Sequence, residues 1–231
     1  MDLTKYQAFA QDNFDGFNDV NLLITAFTHR SYLNEHKKTA GEHNERLEFL
    51  GDAVLELVVT EYLYTSYPDP EGILTNWRSA LVRTESISVA AGESGFEALL
   101  RLSRGEKRGS ERAREQILAN CFEAVVGALY IDKGYDAAKD FIAKSLLPSF
   151  DNILHSGSWV DPKSHLQEKV QSSVGFTPIY KVLSDEGPDH DKIFVVGVFV
   201  EDKRIGQGQG PSKQSAQVAA ANDALKKYKA K

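Results

Sequence analysis

The chain has 231 residues, 42% hydrophobic and 26% charged, which is enough apolar material for one sizeable or two modest packed domains and excludes global disorder. A single cysteine, Cys121, excludes an internal disulfide framework and a cysteine-rich zinc site, and fits a reducing compartment. The net charge of −6 is unevenly spread, +2 over residues 159–231 and −8 over the rest, so the total conceals two parts of different electrostatic character.

The opening MDLTKYQAFAQDNF lacks a basic region and an apolar leader, and no uninterrupted apolar run is long enough to span a bilayer. A cytoplasmic protein with no membrane partner is expected. Apolar residues recur at helical spacing over Leu3–Gln11, Asn21–Thr28, Glu45–Tyr67, Gly72–Ala91, Glu111–Asp132 and Tyr135–Leu146. Residues 1–155 therefore predict an all-helical domain. The run ILHSGSWVDPKS breaks the pattern with Ser, Gly and Pro, which predicts a linker over 156–162. Residues 163–231 change period: a helix over Lys163–Ser173, strand-like TPIYKVLS, turn-rich DEGPDHD, strand-like KIFVVGVFV, the short KRIGQG, and a last helix from Ser212 to about Lys227. That is an α-β-β-β-α order, an α+β domain.

The helix predicted over NERLEFLGDAVLELVV is charged in one sense only. At about 100° per residue, Glu45, Glu48 and Asp52 fall within an arc of about 60° and Glu56 joins them, opposite Leu47, Leu50, Val54, Leu57 and Val58. Glu48/Asp52 and Asp52/Glu56 are like-charge i,i+4 pairs, each unfavourable by about 0.2–0.5 kcal/mol, so something cationic should offset them. Further on, ILANCFEAVVGALYI is apolar around most of its circumference except where Asn120 and Glu123 share a side, which predicts burial of that carboxylate. Such a group needs a partner. Either an arginine such as Arg46 or Arg83 supplies it, or two helices present hard oxygen ligands to Mg²⁺ or Mn²⁺ rather than zinc.

NERLEFLGDAVLEL closely resembles the signature of the ribonuclease III family, and HRSYLNE upstream with PEGILTNWRSALV and ILANCFEAVVGALY downstream resemble its surroundings in order, over essentially the whole chain. The family consists of endonucleases that cleave double-stranded RNA, and its bacterial members append a double-stranded-RNA-binding domain, which residues 163–231 resemble. The resemblance implies an inner metal-binding cluster of Glu48, Asp52, Asn120 and Glu123, with Glu45 and Glu71 further out. It gives Asp52 and Glu123 the central catalytic roles. Phosphodiester hydrolysis needs an activated water, charge stabilisation at phosphorus and a stabilised leaving oxygen, and two divalent ions about 3.5–4 Å apart can supply all three. Mg²⁺ is the implied ion and Mn²⁺ its substitute.

Asn120 departs from the commonest family pattern, which has aspartate there. Its amide oxygen can still face a cation, but a formal charge is lost and metal affinity should fall. That leaves open a second reading, a double-stranded-RNA-binding protein with weak or no cleavage. The resemblance also implies a homodimer in which Phe49 plugs a pocket on the other subunit. His29 has no companion at metal-ligand spacing and reads as a hydrogen-bonded structural histidine.

A-form RNA hides its base edges in a deep, narrow groove, so it is read through 2′-hydroxyls in successive minor grooves and the phosphates between them. Gln167, Glu168 and Gln171 on the first helix of the second domain, His190 in the loop, and Ser212 and Lys213 at the last helix together match that pattern. Only Lys213 stands where the family favours two or three basic residues, so weaker RNA binding by this domain is expected. The resemblance implies double-strand-specific endonucleolytic cleavage leaving 5′-phosphate and 3′-hydroxyl ends, in the processing of ribosomal and other structured RNA.

Overall fold

The computed structural model describes residues 3–36, 41–157, 159–188 and 192–227. The chain divides into two units, Met1–Trp159 and Val160–Lys231.

The first unit is helical: α1 (Thr4–Phe14), α2 (Val20–Ala26), α3 (Arg30–Glu35), α4 (Glu45–Ser66), α5 (Glu71–Leu81), α6 (Thr84–Glu93), α7 (Glu111–Lys133), α8 (Tyr135–Ser145) and α9 (Phe150–Ser156), with short 3-10 turns between some of them. Its centre is α7, whose run from Ile117 to Leu129 is buried except at Asn120 and Glu123. Helix boundaries follow local chemistry. The Ser110 side chain accepts a hydrogen bond from the Ala113 N–H at the start of α7, and Gly134, at φ +85°, ends it. Phe96 stacks on Phe122 of α7 and on Phe141 of α8, with Phe9, Phe14 and Phe27 meeting Phe96 or Phe141 edge-on.

The packing of α4 on α7 is set by two glycines. A Cβ on Gly51 would overlap the carbonyl oxygen of Glu123, and one on Gly127 would overlap that of Leu47. The two backbones therefore touch where neither carries a side chain, at a separation no other residue permits.

The single helix expected over Gly72–Ala91 is two helices. Val82 leaves helical geometry and Arg83 is extended, with φ −73° and ψ 153°. No Gly or Pro marks the break. The Ser86 hydroxyl donates to the Ala80 carbonyl at 2.8 Å, satisfying one of the acceptors left over at the end of α5. Helices α3 and α9 lie outside the predicted elements, being too short for periodicity to register. The helical unit continues to Trp159, whose ring meets Trp77 edge-on at 5.8 Å.

In the second unit α10 (Pro162–Val174) precedes strands β1 (Ile179–Glu186), β2 (Ile193–Val200) and β3 (Lys203–Gly210), and α11 (Lys213–Lys227) follows. The sheet is antiparallel in the order β1-β2-β3, giving the expected α-β-β-β-α fold. Asp161 caps α10 by accepting from the Ser164 N–H, with Pro162 in the first turn. Both helices cover one face of the sheet through Leu166, Val170, Val196, Val198 and the alanines of α11. The sequence GQGQG in β3 has a packing reason: a Cβ at Gly206 or Gly208 would collide with the backbone of α11 at Ala220 and its neighbours.

Gly51→Ala is expected to destabilise the protein at the upper end of the ~1–3 kcal/mol range for overpacking, because the obstacle is backbone. Gly92→Ala in α6, where nothing lies within 4 Å, is expected to stabilise by about 0.5–1 kcal/mol. Urea denaturation of both variants checks the contrast.

Candidate active site

On α4, Leu47, Val54, Leu55 and Val58 are buried while Glu45 and Asp52 are exposed and Glu48 is half-buried. Leu57, expected on the packed face, is 56% exposed, and Leu55 is buried in its stead. The backbone contact at Gly51 brings this acidic face beside the polar side of α7. There Asn120 and Glu123 are half-buried in a helix that is otherwise sealed.

The expected cationic offset exists for one carboxylate. Arg30 Nη1 lies 3.3 Å from Glu45 Oε1, and His43 Nδ1 lies 3.9 Å from its Oε2. Among the described residues, Glu48, Asp52 and Glu123 have no ion-pair partner. The arginine pairing considered for Glu123 does not form, and the Arg83 guanidinium stands 4.0 Å from Glu85. Burial, then the charges of Asp52 and Glu48, push the Glu123 carboxyl up to about 8. Burial, then Glu45 and Asp52, raise that of Glu48, opposed by a hydrogen bond from the Asn120 side chain. The Asn120 oxygen is also engaged, accepting from Gln116 Nε2 at 2.7 Å.

Among the described residues no three His, Cys, Asp or Glu side chains are drawn close enough to enclose a cation. Glu71 opens α5 directly after Pro70 and is exposed, lining a groove of about 680 Å³ with Thr60, Tyr64, Leu74 and Arg78. It is not among the groups that perturb Glu48 or Glu123. Phe49 is 83% exposed and borders a separate groove of about 620 Å³ lined by Leu22, Thr25, His43, Leu50 and Ile131. His29 caps α3, its Nδ1 accepting from the Ser31 N–H at 3.3 Å, the structural role expected of it.

In the second unit Gln167, Glu168 and Gln171 are exposed along α10, opposite buried Leu166 and Val170. Gln171 Nε2 donates to Thr177 Oγ1 at 3.1 Å. Ser212 and Ser215 cap α11 reciprocally, each hydroxyl accepting from the other's backbone N–H at 3.1 and 3.0 Å. Exposed Lys213 begins that helix, its Nζ 6.0 Å from the Phe194 ring. His190 lies outside the described residues. Arg30, His43 and Gln116 were not singled out from the sequence. Gln116 stands at i−4 from Asn120, the helical spacing that could have flagged it.

Residues 19–150 match the Ribonuclease-III-like family and residues 162–228 the double-stranded RNA binding motif. The chain is similar to "Ribonuclease 3" of Streptococcus pneumoniae (strain Taiwan19F-14), 46% identical over 215 residues that cover 91% of each chain. It is 45% identical over the same length to "Ribonuclease 3" of Streptococcus gordonii, again 91% of each. The nuclease domain of ribonuclease III from Campylobacter jejuni, described for flexibility in its region involved in dimer formation, superposes at a TM-score of 0.55 with 34% identity, covering 62% of this chain and 97% of that one. A helical domain with an acidic face, joined to a double-stranded-RNA-binding fold, defines an endoribonuclease. The chain belongs to the ribonuclease III family.

With its carboxyl at about 8 against an ordinary 4.5, Glu123 keeps in the folded chain a proton that the unfolded chain releases. Stability therefore falls as pH rises from about 4.5 to about 8. Glu123→Gln removes this penalty. In cation-free buffer the variant is expected to melt about 2–8 °C above the parent at pH 8, equivalent to about 1–2 kcal/mol after allowing for the solvent contact Glu123 retains, and level with it at pH 4.5. Thermal unfolding at both pH values checks this.

Proposed function

We propose that this protein is a homodimer that cuts double-stranded RNA with Mg²⁺, or Mn²⁺ in its place, held by Glu48, Asp52, Asn120 and Glu123. One observation carries the reading: Glu48 and Asp52 on α4 and Glu123 on the α7 it packs against have no cationic partner among the described residues, and burial with the charges of Asp52 and Glu48 pushes Glu123 up to about 8. The donor set fits such ions, since carboxylate and amide oxygens are hard ligands and no thiolate or imidazole stands among them. A bound divalent cation would supply charge neutralisation at the scissile phosphate and acidify water toward neutrality.

The chain's own groups do the rest. Asp52 and Glu123 are the central catalytic carboxylates, and release of the Glu123 proton accompanies cation binding near neutral pH. Glu45, tied to Arg30 and His43, stands at the rim, and Glu71 joins the site from farther off. Gln167, Glu168, Gln171 and His190 meet 2′-hydroxyls and the backbone of the duplex, while Lys213 and the N–H groups at the start of α11 meet phosphate. The Ser212 hydroxyl, spent on the cap, acts by fixing that helix start. Phe49 is the dimer contact, an aromatic left 83% exposed beside an apolar groove. Family membership supports products with 5′-phosphate and 3′-hydroxyl ends, and a cytoplasmic role in maturing ribosomal and other structured transcripts.

A second reading, duplex binding with little cleavage, is favoured only by Asn120, whose oxygen is occupied by Gln116. The two separate in one assay, incubation with long duplex RNA across a range of Mg²⁺ concentrations. Cleavage by the unsubstituted protein, a loss of at least about a hundredfold in Asp52→Asn, and unchanged duplex binding are expected. Cleavage only after Asn120→Asp would support the binding-protein reading.

Phe49→Ala is expected to shift the protein from dimer to monomer at micromolar concentration, with its helical content intact. Sedimentation velocity decides it, and an unchanged dimer would remove Phe49 from the interface.

A further inference from the structure

Lys163, in the first turn of α10, is half-buried and has no ion-pair partner among the described residues. Neutral groups hold it instead. Its Nζ donates to Gln217 Oε1 on α11 at 2.7 Å and lies 5.2 Å from the centre of the Tyr180 ring on β1. We propose that Lys163 is a phosphate contact for the RNA duplex, a cation carried by α10 and presented beside the start of α11. The inference rests on reading the second unit as the one that grips the duplex.

The place of this ammonium argues for the role. Lys163 lines a recess of about 400 Å³ together with Gln167 of α10, Gln214 of α11 and Tyr180. On the proposed reading Gln167 meets a minor groove, and the start of α11 meets the phosphates that flank the adjacent major groove. Those two grooves are divided by one sugar-phosphate strand, so a strand has to pass the gap between the helices. The recess opens in that gap, and Lys163 is its cation.

Two other lysines of the unit are tied down by anions, Lys192 by Asp185 and Lys227 by Asp223. An amide oxygen and a ring fix Lys163 in position yet leave its charge uncompensated, with donors to spare for an anion. Asp161 is the carboxylate lining the recess, and its Oδ2 is engaged, accepting from the Ser164 N–H and hydroxyl at 2.8 Å each. It holds the start of α10. Lys163 also answers a shortage on α11, where Lys213 is the single lysine of the opening turns and the residue one turn on is Gln217. That glutamine brings a second cation to the helix from another element.

The test measures binding of the full-length protein to an RNA duplex of about 20 base pairs, longer than the ~16 that one such domain spans, in buffer free of divalent cations. Affinity is followed from about 50 to 200 mM KCl, where each phosphate contact contributes about 0.9 to the slope of log K against log[KCl]. Lys163→Met, which keeps the aliphatic stem and loses the charge, is expected to make the slope shallower by about that amount. Adding Gln217→Lys is expected to restore it, because the side chain at 217 ends beside the place the ammonium held. Lys163→Gln, which removes the charge but keeps a donor, repeats the measurement if Lys163→Met lowers the melting temperature, and the same loss of slope is expected. A lysine that only tied the helices together would change affinity without changing the slope. An unchanged slope in Lys163→Met and Lys163→Gln, or a lost slope that Gln217→Lys does not restore, overturns the role of Lys163 alone. No duplex binding by the unsubstituted protein at about 50 mM KCl overturns the duplex-binding reading, and this role with it.

Discussion

The helical unit depends on one close approach. Gly51 and Gly127 let the backbones of α4 and α7 meet at the level where each helix carries its polar side chains. Gly51 immediately precedes Asp52, and the carbonyl it abuts belongs to Glu123. The contact that packs the unit is therefore the one that brings the acidic side chains together. Larger residues at the two glycines would part the helices, and would relieve the repulsion among Glu48, Asp52 and Glu123 by the same movement. Packing of the apolar faces, with Val54, Leu55, Val58, Phe122 and Val125 all buried, holds the arrangement against that repulsion.

The electrostatic cost is placed unevenly. Glu45, at the start of α4, has Arg30 and His43 beside it, and a carboxylate in the first turn also suits the helix dipole. Glu123 has neither advantage, lying far inside α7 with burial as the largest cause of its shift. A folded chain that leaves such a group unneutralised is less stable than its core permits, a familiar bargain where a site serves chemistry. Elsewhere in the unit some polar groups are paired, although Trp77 Nε1 is buried without a hydrogen-bond partner among the described residues. Thr28 and Arg101 bond to each other at 2.9 Å, and Asp132 accepts from the backbone of Asn18 and Asp19 at 2.8 Å.

The sequence made legible whatever a single element determines. The acidic face of α4 follows from helical periodicity, the sealed circumference of α7 from its apolar run, and the α-β-β-β-α order from the change of period after residue 160. What it concealed depends on partners far along the chain or on bonds made by one side chain. Arg30 neutralises Glu45 across a loop, which charge patterning within α4 could not reveal. The break at Val82–Arg83 turns on the Ser86 hydroxyl, and α9 is held by Phe150 and Ile153 entering the core rather than by its own periodicity. Leu57 and Leu55 exchange roles because the buried face of α4, through Leu47, Gly51, Val54, Val58 and Val59, is rotated toward Leu55 and away from Leu57. Asn120 reads as a weakened ligand because its type is visible in the sequence, whereas the bond its oxygen accepts from Gln116 is made by one side chain.

Charge separates the work of the two units on the proposed reading. The part of the chain before residue 159 carries −8, and RNA is a polyanion, so the helical unit by itself repels its substrate. Attraction has to come from the remainder, which at +2 and with Lys213 as the single lysine opening α11 is only mildly basic. Cations in the acidic cluster would change this balance locally, turning the most repulsive part of the first unit into one that a phosphate can approach. Cation binding and duplex binding would then favour each other, each reducing the charge the other must overcome. That coupling would be strongest at low cation concentration, where the cluster is empty and the −8 is felt in full. Asn120 fits the same logic from the other side. One fewer formal charge in the cluster lowers its hold on cations, but it also lowers the repulsion that a duplex meets before they arrive.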